Sequence, residues 1–141
     1  MTFYAESSAV LAWLLGESDG HRVRKLLRRA KSIIACDVVL NECDRVLIRA
    51  ATLGEINDVT AVDRRSRLNA AAAFWHLLRV SPEIVERARR PFPEESIRTL
   101  DAIHLASALT ARSVVPNLQL LTLDDRIRRA GAHLGFTIQP T

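Results

Sequence analysis

The sequence predicts an α/β fold in which a parallel sheet of short strands is covered on both faces by helices. Short apolar segments rich in β-branched or aromatic residues alternate with longer segments of helical periodicity, and no linker, internal repeat or low-complexity tract interrupts them. This alternation is typical of βαβ units, which build parallel sheets between helices. Since 141 residues suit one continuous core, we expect a single domain over residues 1–141.

The first half of the chain predicts two strands and four helices. Either Ser7 or Ser8 has a side chain suited to capping the first helix, and Gly16 is a suitable end for it. Asp37 begins a long amphipathic helix that Gly54 closes. Strands are expected over residues 2–5 and 32–35, and helices over 9–15, 21–30, 38–53 and 59–78.

The second half continues the same alternation. Pro82 begins a short helix, and Pro91 and Pro93 indicate a loop after it. Pro116 turns the chain into a late strand, and Gly135 ends the last helix. Strands are expected over residues 78–80, 118–121 and 136–138, and helices over 83–88, 96–112 and 124–134.

Composition excludes several classes of protein. Apolar residues make up 48% and charged residues 26%, as in globular proteins and unlike disordered chains. The apolar stretch at residues 9–15 is shorter than the ~20 residues of a membrane span. The first residues lack a secretory signal pattern, so we expect a cytosolic protein with Cys36 and Cys43 reduced. No Cys/His cluster has zinc-site spacing.

The net charge of +4 rests almost wholly on arginine, since only Lys25 and Lys31 of the 20 basic residues are lysines. Arginine matches phosphate geometry, which favours a nucleic-acid partner. Genomic base composition explains an arginine-rich surface equally well, so charge alone does not decide between them.

Four acids stand at informative places. Glu6 follows the first predicted strand, and Asp124 follows a late one, next to Asp125. Open parallel sheets place their sites at such strand ends. Glu42 and Asp101 lie in early helical turns beside apolar residues, where an acid is costly unless it is paired or binds a cation.

Each acid also has a structural explanation. Asp124 or Asp125 suits a helix N-cap, and Glu42 has Arg45 and Arg49 within helical reach. Arg98 stands in the same relation to Asp101. Taken together, however, the four acids predict convergence on one point.

Four converging carboxylates repel one another unless a hard cation joins them. Oxygen ligands select Mg²⁺ or Mn²⁺. Such an ion lowers the pKa of a bound water and polarises a phosphoryl oxygen, which suits phosphodiester hydrolysis. A basic surface around an acidic cleft suits a nucleic-acid substrate.

At these acids the sequence resembles the PIN-domain family, and within it the VapC-type ribonuclease toxins of toxin–antitoxin pairs. The similar segments cover nearly the whole chain: residues 3–11 with Glu6, 39–42 with Glu42, 99–106 with Asp101, 120–126 with Asp124, and the closing residues 130–136. The run 99–106, Thr-Leu-Asp-Ala-Ile-His-Leu-Ala, is the strongest of them.

The resemblance implies a three-layer α/β/α fold and a Mg²⁺- or Mn²⁺-dependent endoribonuclease, a homodimer whose site a cognate VapB-type antitoxin covers. It assigns the metal and the catalysis to Glu6, Glu42, Asp101 and Asp124. Ser7, Thr122 and Asp125 are supporting candidates, Asp125 for a second metal or as a helix cap.

One departure from the family pattern concerns Glu6, where the family ordinarily has Asp. The extra methylene moves the carboxylate, and Mg²⁺ demands near-ideal geometry. We expect altered or weakened metal use, and a catalytically weak domain that binds an antitoxin or RNA is the alternative. A phosphoacceptor domain ranks low because no lysine follows Lys31.

Residues near the acids have structural explanations as well. His104, three residues after Asp101, is expected to be a packed and hydrogen-bonded core residue rather than a substrate contact. Trp13 and Trp75 lie on apolar helix faces and are expected in the core or on a partner surface.

Overall fold

Five parallel strands and seven helices make up the computed structural model, which describes residues 1–141. The strands are β1 (Thr2–Ala5), β2 (Ser32–Cys36), β3 (His76–Leu78), β4 (Gln119–Leu121) and β5 (Ile138–Gln139). The helices are α1 (Ser7–Leu15), α2 (Gly20–Arg29), α3 (Val38–Thr52), α4 (Asp58–Ala72), α5 (Pro82–Ala88), α6 (Thr99–Val114) and α7 (Asp125–His133). None of the helices combines the length and apolar character that a membrane span needs.

The central strand β1 is buried along its whole length, and its side chains alternate between the two faces of the sheet. Tyr4 packs with Ile34, Leu120 and the buried residues of α5, α6 and α7. Ala5 packs on the opposite side with the buried residues of α1, α3 and α4. This two-sided packing confirms the predicted α/β fold with a parallel sheet between helices.

The strand order is β3-β2-β1-β4-β5, with all neighbours parallel. The chain moves outward from β1 to β3 on one side, and β4 then returns to the other side of β1. The order therefore reverses between β1 and β4, where open α/β sheets form a crevice at the strand ends. Ala5 is in register with Leu121, and the Glu6 N–H donates to the Leu121 carbonyl at 3.0 Å.

Several element boundaries differ from the sequence prediction. Helix α4 ends at Ala72 rather than residue 78, because residues 76–78 pair with β2 as strand β3. Helix α6 begins at Thr99 rather than residue 96, because Ser96 has a φ of 88° and Arg98 is extended. Helix α1 begins at Ser7, and its N-cap is Glu6 rather than Ser7 or Ser8.

The cysteines and Trp13 occupy the places expected of them, whereas Trp75 lies between α4 and β3 rather than on a helix face. Cys36 and Cys43 are buried and unpaired. Trp13 and Trp75 are partly buried against the core cluster beneath α1, α3 and α4. These side chains are therefore accounted for by packing.

Candidate active site

A cleft of about 700 Å³ lies at the carboxyl end of β1, where the strand order reverses. All four acids singled out from the sequence line it: Glu6, Glu42, Asp101 and Asp124. They come from the end of β1, from α3, from α6 and from the end of β4. The predicted convergence on one cleft is therefore present in the structure.

Glu6 is the most enclosed of these acids, with 4% of its surface exposed. Ser7 Oγ donates to its Oε1 at 2.9 Å, and Thr122 Oγ1 donates to its Oε2 at 2.8 Å. The Ser8 backbone N–H donates to Oε2 at 3.0 Å, and the Ser8 hydroxyl donates to it as well. Because a carboxylate offers about four lone-pair directions, this network leaves open acceptor capacity on Oε1 rather than on Oε2.

Thr122 and Ser8 tie the ends of β1 and β4 together. Thr122 is fully buried, and its Oγ1 accepts the Asp124 N–H at 3.1 Å while bonding Glu6. Ser8 Oγ accepts the Leu123 N–H at 2.9 Å. The sequence analysis considered Ser8 only as a helix cap. Its position two residues after Glu6 was the available signal that it also contacts this acid.

Glu42 does not pair with Arg45 or Arg49, the partners that its helical spacing suggested. Its Oε1 instead lies 2.5 Å from Nε2 of His104, which is 62 residues away in the sequence. The expectation that His104 is a packed, hydrogen-bonded core residue is correct, since it is 1% exposed. That its partner is an acid of the cleft could not be read from spacing along one helix.

Asp101 bonds back to the start of its own helix. Its Oδ2 accepts the Arg98 N–H at 3.3 Å and lies 3.8 Å from Arg98 Nε, so the suggested pairing is present but loose. Burial raises the pKa of Asp101 above its usual value; the Arg98 N–H opposes this increase and the nearby charge of Asp124 adds to it. The cleft therefore holds two carboxylates that repel each other.

Asp124 combines both of the roles considered for it. It is the N-cap of α7, where its Oδ1 accepts the Ile127 N–H at 3.0 Å, and it also lines the cleft. Asp125 is exposed in the first turn of α7 and is not among the residues that line the cleft.

The cleft offers carboxylate oxygens, which are the ligands that hard divalent cations prefer. Asp101 and Asp124 are close enough to repel each other, and a cation would reduce that repulsion. No three His, Cys, Asp or Glu side chains are gathered closely enough to hold an ion as they stand.

Comparison with known proteins places the chain in a family. The family model described as PIN domain matches residues 3–132. Ribonuclease VapC46 of Mycobacterium tuberculosis is 33% identical over 135 residues, covering 96% of this chain and 94% of the relative.

Two solved structures share the fold at low sequence identity. A toxin–antitoxin complex from Klebsiella pneumoniae has a TM-score of 0.66 at 17% identity, covering 98% of this chain and 97% of that one. VapC20 of Mycobacterium tuberculosis, described as a Sarcin-Ricin loop cleaving toxin, has a TM-score of 0.67 at 16% identity, covering 92% and 95%. Because the family match covers residues 3–132 and includes all 11 residues that line the cleft, this chain belongs to the PIN-domain family, as its sequence pattern indicated.

Proposed function

We propose that this chain is a VapC-type endoribonuclease toxin that hydrolyses RNA phosphodiester bonds with a divalent cation, Mg²⁺ or Mn²⁺. The observation that carries the proposal is the meeting of four acids, from four separate segments, around one cleft at the sheet's switch point. The full-length similarity to a ribonuclease of the VapC type supports it. We take residues 1–141 to act as one nuclease domain.

Glu6, Glu42, Asp101 and Asp124 would hold the cation. When bound, such an ion lowers the pKa of a bound water and polarises a phosphoryl oxygen. Asp101 is suited to this task because a cation would offset the burial and the repulsion from Asp124 that raise its pKa. Ser7, Ser8 and Thr122 act by holding Glu6 in place.

Arg98 is suited to binding the RNA phosphate. It is the only basic residue that lines the cleft, its side chain is largely exposed, and its ion pair with Asp101 is loose at 3.8 Å. A contact at this separation, with one partner in solvent, contributes little to stability, so the guanidinium is available to a phosphate at small cost.

The test is cleavage of a structured RNA by the purified chain with Mn²⁺, with EDTA, and by the Asp101→Asn variant. We expect EDTA to abolish cleavage and D101N to lower it at least about 100-fold, since even partners of metal ligands contribute 10- to 100-fold. Asp58→Asn, an exposed acid at the start of α4, is the matched control and should cleave normally. Cleavage that neither EDTA nor D101N changes would overturn the mechanism.

A second candidate is a catalytically weak domain that binds an antitoxin or RNA. Two observations favour it. Glu6 caps α1 and already accepts four hydrogen bonds. In addition, no three acids lie close enough together to hold a metal ion. Titration with Mn²⁺ separates the two functions, because a chain that binds no Mn²⁺ at millimolar concentration would be such a domain.

We further propose a VapB-type antitoxin as partner, a homodimer as the assembly and the cytoplasm as the compartment. The antitoxin is supported by the fold shared with a chain of a toxin–antitoxin complex. Large apolar side chains on and beside α4, among them Val59, Val62 and an 88%-exposed Phe74, are available for protein contacts. A neighbouring reading frame for a small DNA-binding protein would identify the antitoxin.

A further inference from the structure

Beneath the cleft lies a row of buried polar groups that the proposed chemistry does not itself use. The hydroxyl of Tyr4, a fully buried residue of β1, is 2.8 Å from Nδ1 of His104 in α6. The other ring nitrogen of His104 bonds Glu42. At the far end of the row, the Cys36 backbone N–H donates to the Tyr4 oxygen at 3.3 Å. One chain of hydrogen bonds thus runs from β2 through β1 and α6 to an acid of the cleft.

The protons in this row can be assigned from the ends inward. An ionised Glu42 only accepts hydrogen bonds, so the proton must lie on His104 Nε2. A neutral ring protonated at Nε2 has Nδ1 as an acceptor, and the Tyr4 hydroxyl then donates to it. The Tyr4 oxygen in turn accepts the Cys36 N–H. With this tautomer every polar group of the row has a partner, as buried groups require.

This arrangement restrains Glu42 in a way that its own helix does not. A glutamate side chain is flexible, and that of Glu42 is one-fifth exposed on α3. His104 holds one of its oxygens, Oε1, while Oε2 makes no hydrogen bond within the chain. Since the His104 ring is itself held by Tyr4 and enclosed in the core, Glu42 is anchored to a rigid group.

We propose that His104 is a positioning residue for the nuclease site: its Nε2–H, held in that tautomer by the Tyr4 hydroxyl, orients Glu42 and leaves Oε2 for the cation. This inference rests on the proposed function, because Glu42 must take part in binding the ion. It assigns a role to two buried residues that touch neither the cation nor the RNA. A histidine that only fills the core would have no such link to metal affinity.

Two substitutions of His104 separate positioning from packing. The amide nitrogen of glutamine extends about as far as imidazole Nε2, whereas that of asparagine extends only about as far as Nδ1. His104→Gln therefore keeps a donor to Glu42, and His104→Asn keeps only the contact to Tyr4. Both leave a polar amide in the same buried place, so each serves as the control for the other.

The measurement is Mn²⁺ affinity, read from the electron paramagnetic resonance of free Mn²⁺, with the melting temperature of each variant alongside. We expect H104N to weaken Mn²⁺ binding about 10- to 100-fold and H104Q to remain within about threefold of wild type. Equal affinities for H104N and H104Q, at similar melting temperatures, would overturn the positioning role. A wild-type chain that binds no Mn²⁺ would instead overturn the proposed function, and this role with it.

A second measurement needs no variant. Nitrogen-15 NMR of the metal-free wild-type chain reports which His104 nitrogen carries the proton. We expect the Nε2–H form, in which Nδ1 accepts from the Tyr4 hydroxyl and Nε2–H donates to Glu42. A His104 ring protonated only at Nδ1 would contradict the inference, even where both substitutions unfold the chain.

Discussion

Glu6 shows how one side chain serves both the helix and the cleft. Its carboxylate caps α1 through the Ser8 N–H and is held by Thr122 from the neighbouring strand. Its side chain folds back onto the start of α1 while it also lines the cleft. The same residue therefore contributes to stability and to the acidic site.

We expect Glu6→Asp to keep or raise nuclease activity, because aspartate is a good N-cap and keeps the charge. Glu6→Ala should abolish activity and lower the free energy of unfolding by about 2 kcal/mol, since buried donors lose their acceptor. Nuclease assays and urea denaturation would measure these effects, with Glu17→Ala as the exposed control. Unchanged Mn²⁺ binding by E6A would remove Glu6 from the site.

At the scale of elements, the contact between α1 and α2 depends on a single glycine. A Cβ built at Gly20 would lie 2.2 Å from the Ala12 carbonyl oxygen and 2.9 Å from its carbon. These are backbone atoms, which a rotamer change cannot move away. Gly16 between the helices differs: its φ is 68°, but a Cβ there would meet nothing within 4 Å.

We predict that Gly20→Ala destabilises the chain more than Gly16→Ala does. G20A forces two helices apart and should cost about 3 kcal/mol, the upper end for overpacking. G16A strains the backbone alone and should cost about 1 kcal/mol. Denaturant unfolding of both variants measures the difference. Equal losses in the free energy of unfolding for G20A and G16A would contradict the prediction, because the close contact between α1 and α2 would then contribute nothing to stability.

For the molecule as a whole, the sheet isolates its two thiols from solvent. Cys36 ends β2 and Cys43 lies on the inner face of α3, and both are fully buried. Burial raises the pKa of Cys36. Burial, reinforced by the charges of Glu42 and Glu6, raises the pKa of Cys43 to about 12. At pH 8 only about one Cys43 in ten thousand is then a thiolate.

We therefore expect neither cysteine to react with iodoacetamide at pH 8 while the chain is folded, and both to react in denaturant. Mass spectrometry of the alkylated chain gives the extent at each site. Because reaction requires opening of the core, the native rate reports the population of opened molecules. Rapid alkylation of Cys43 in the folded chain would show that the sheet and α3 separate locally.

Much of this architecture follows from local sequence patterns. Apolar segments and helical periodicity predicted the fold class, since each element buries one face or stripe. The predicted helix boundaries were less accurate where contacts with residues far away in the sequence determine where a helix ends. Residues 76–78 continue a helical pattern in the sequence. In the structure they form a strand, because they pair with residues of β2 that lie more than 40 positions earlier. The periodicity of the sequence does not show that pairing with a distant strand competes with the local helix.

By itself, the sequence determined that Glu6 and Asp124 follow strands and that these strands lie in one parallel sheet, so their approach was predictable. Only the tertiary structure decided what each acid contacts. His104 reaches Glu42 across 62 positions, and Thr122 reaches Glu6 across 116. Local spacing favoured arginine partners one helical turn away, but packing of α6 against the sheet places a buried imidazole against Glu42. Because a buried polar group without a hydrogen-bond partner is costly, the tertiary packing of the core decides which side chains these acids contact.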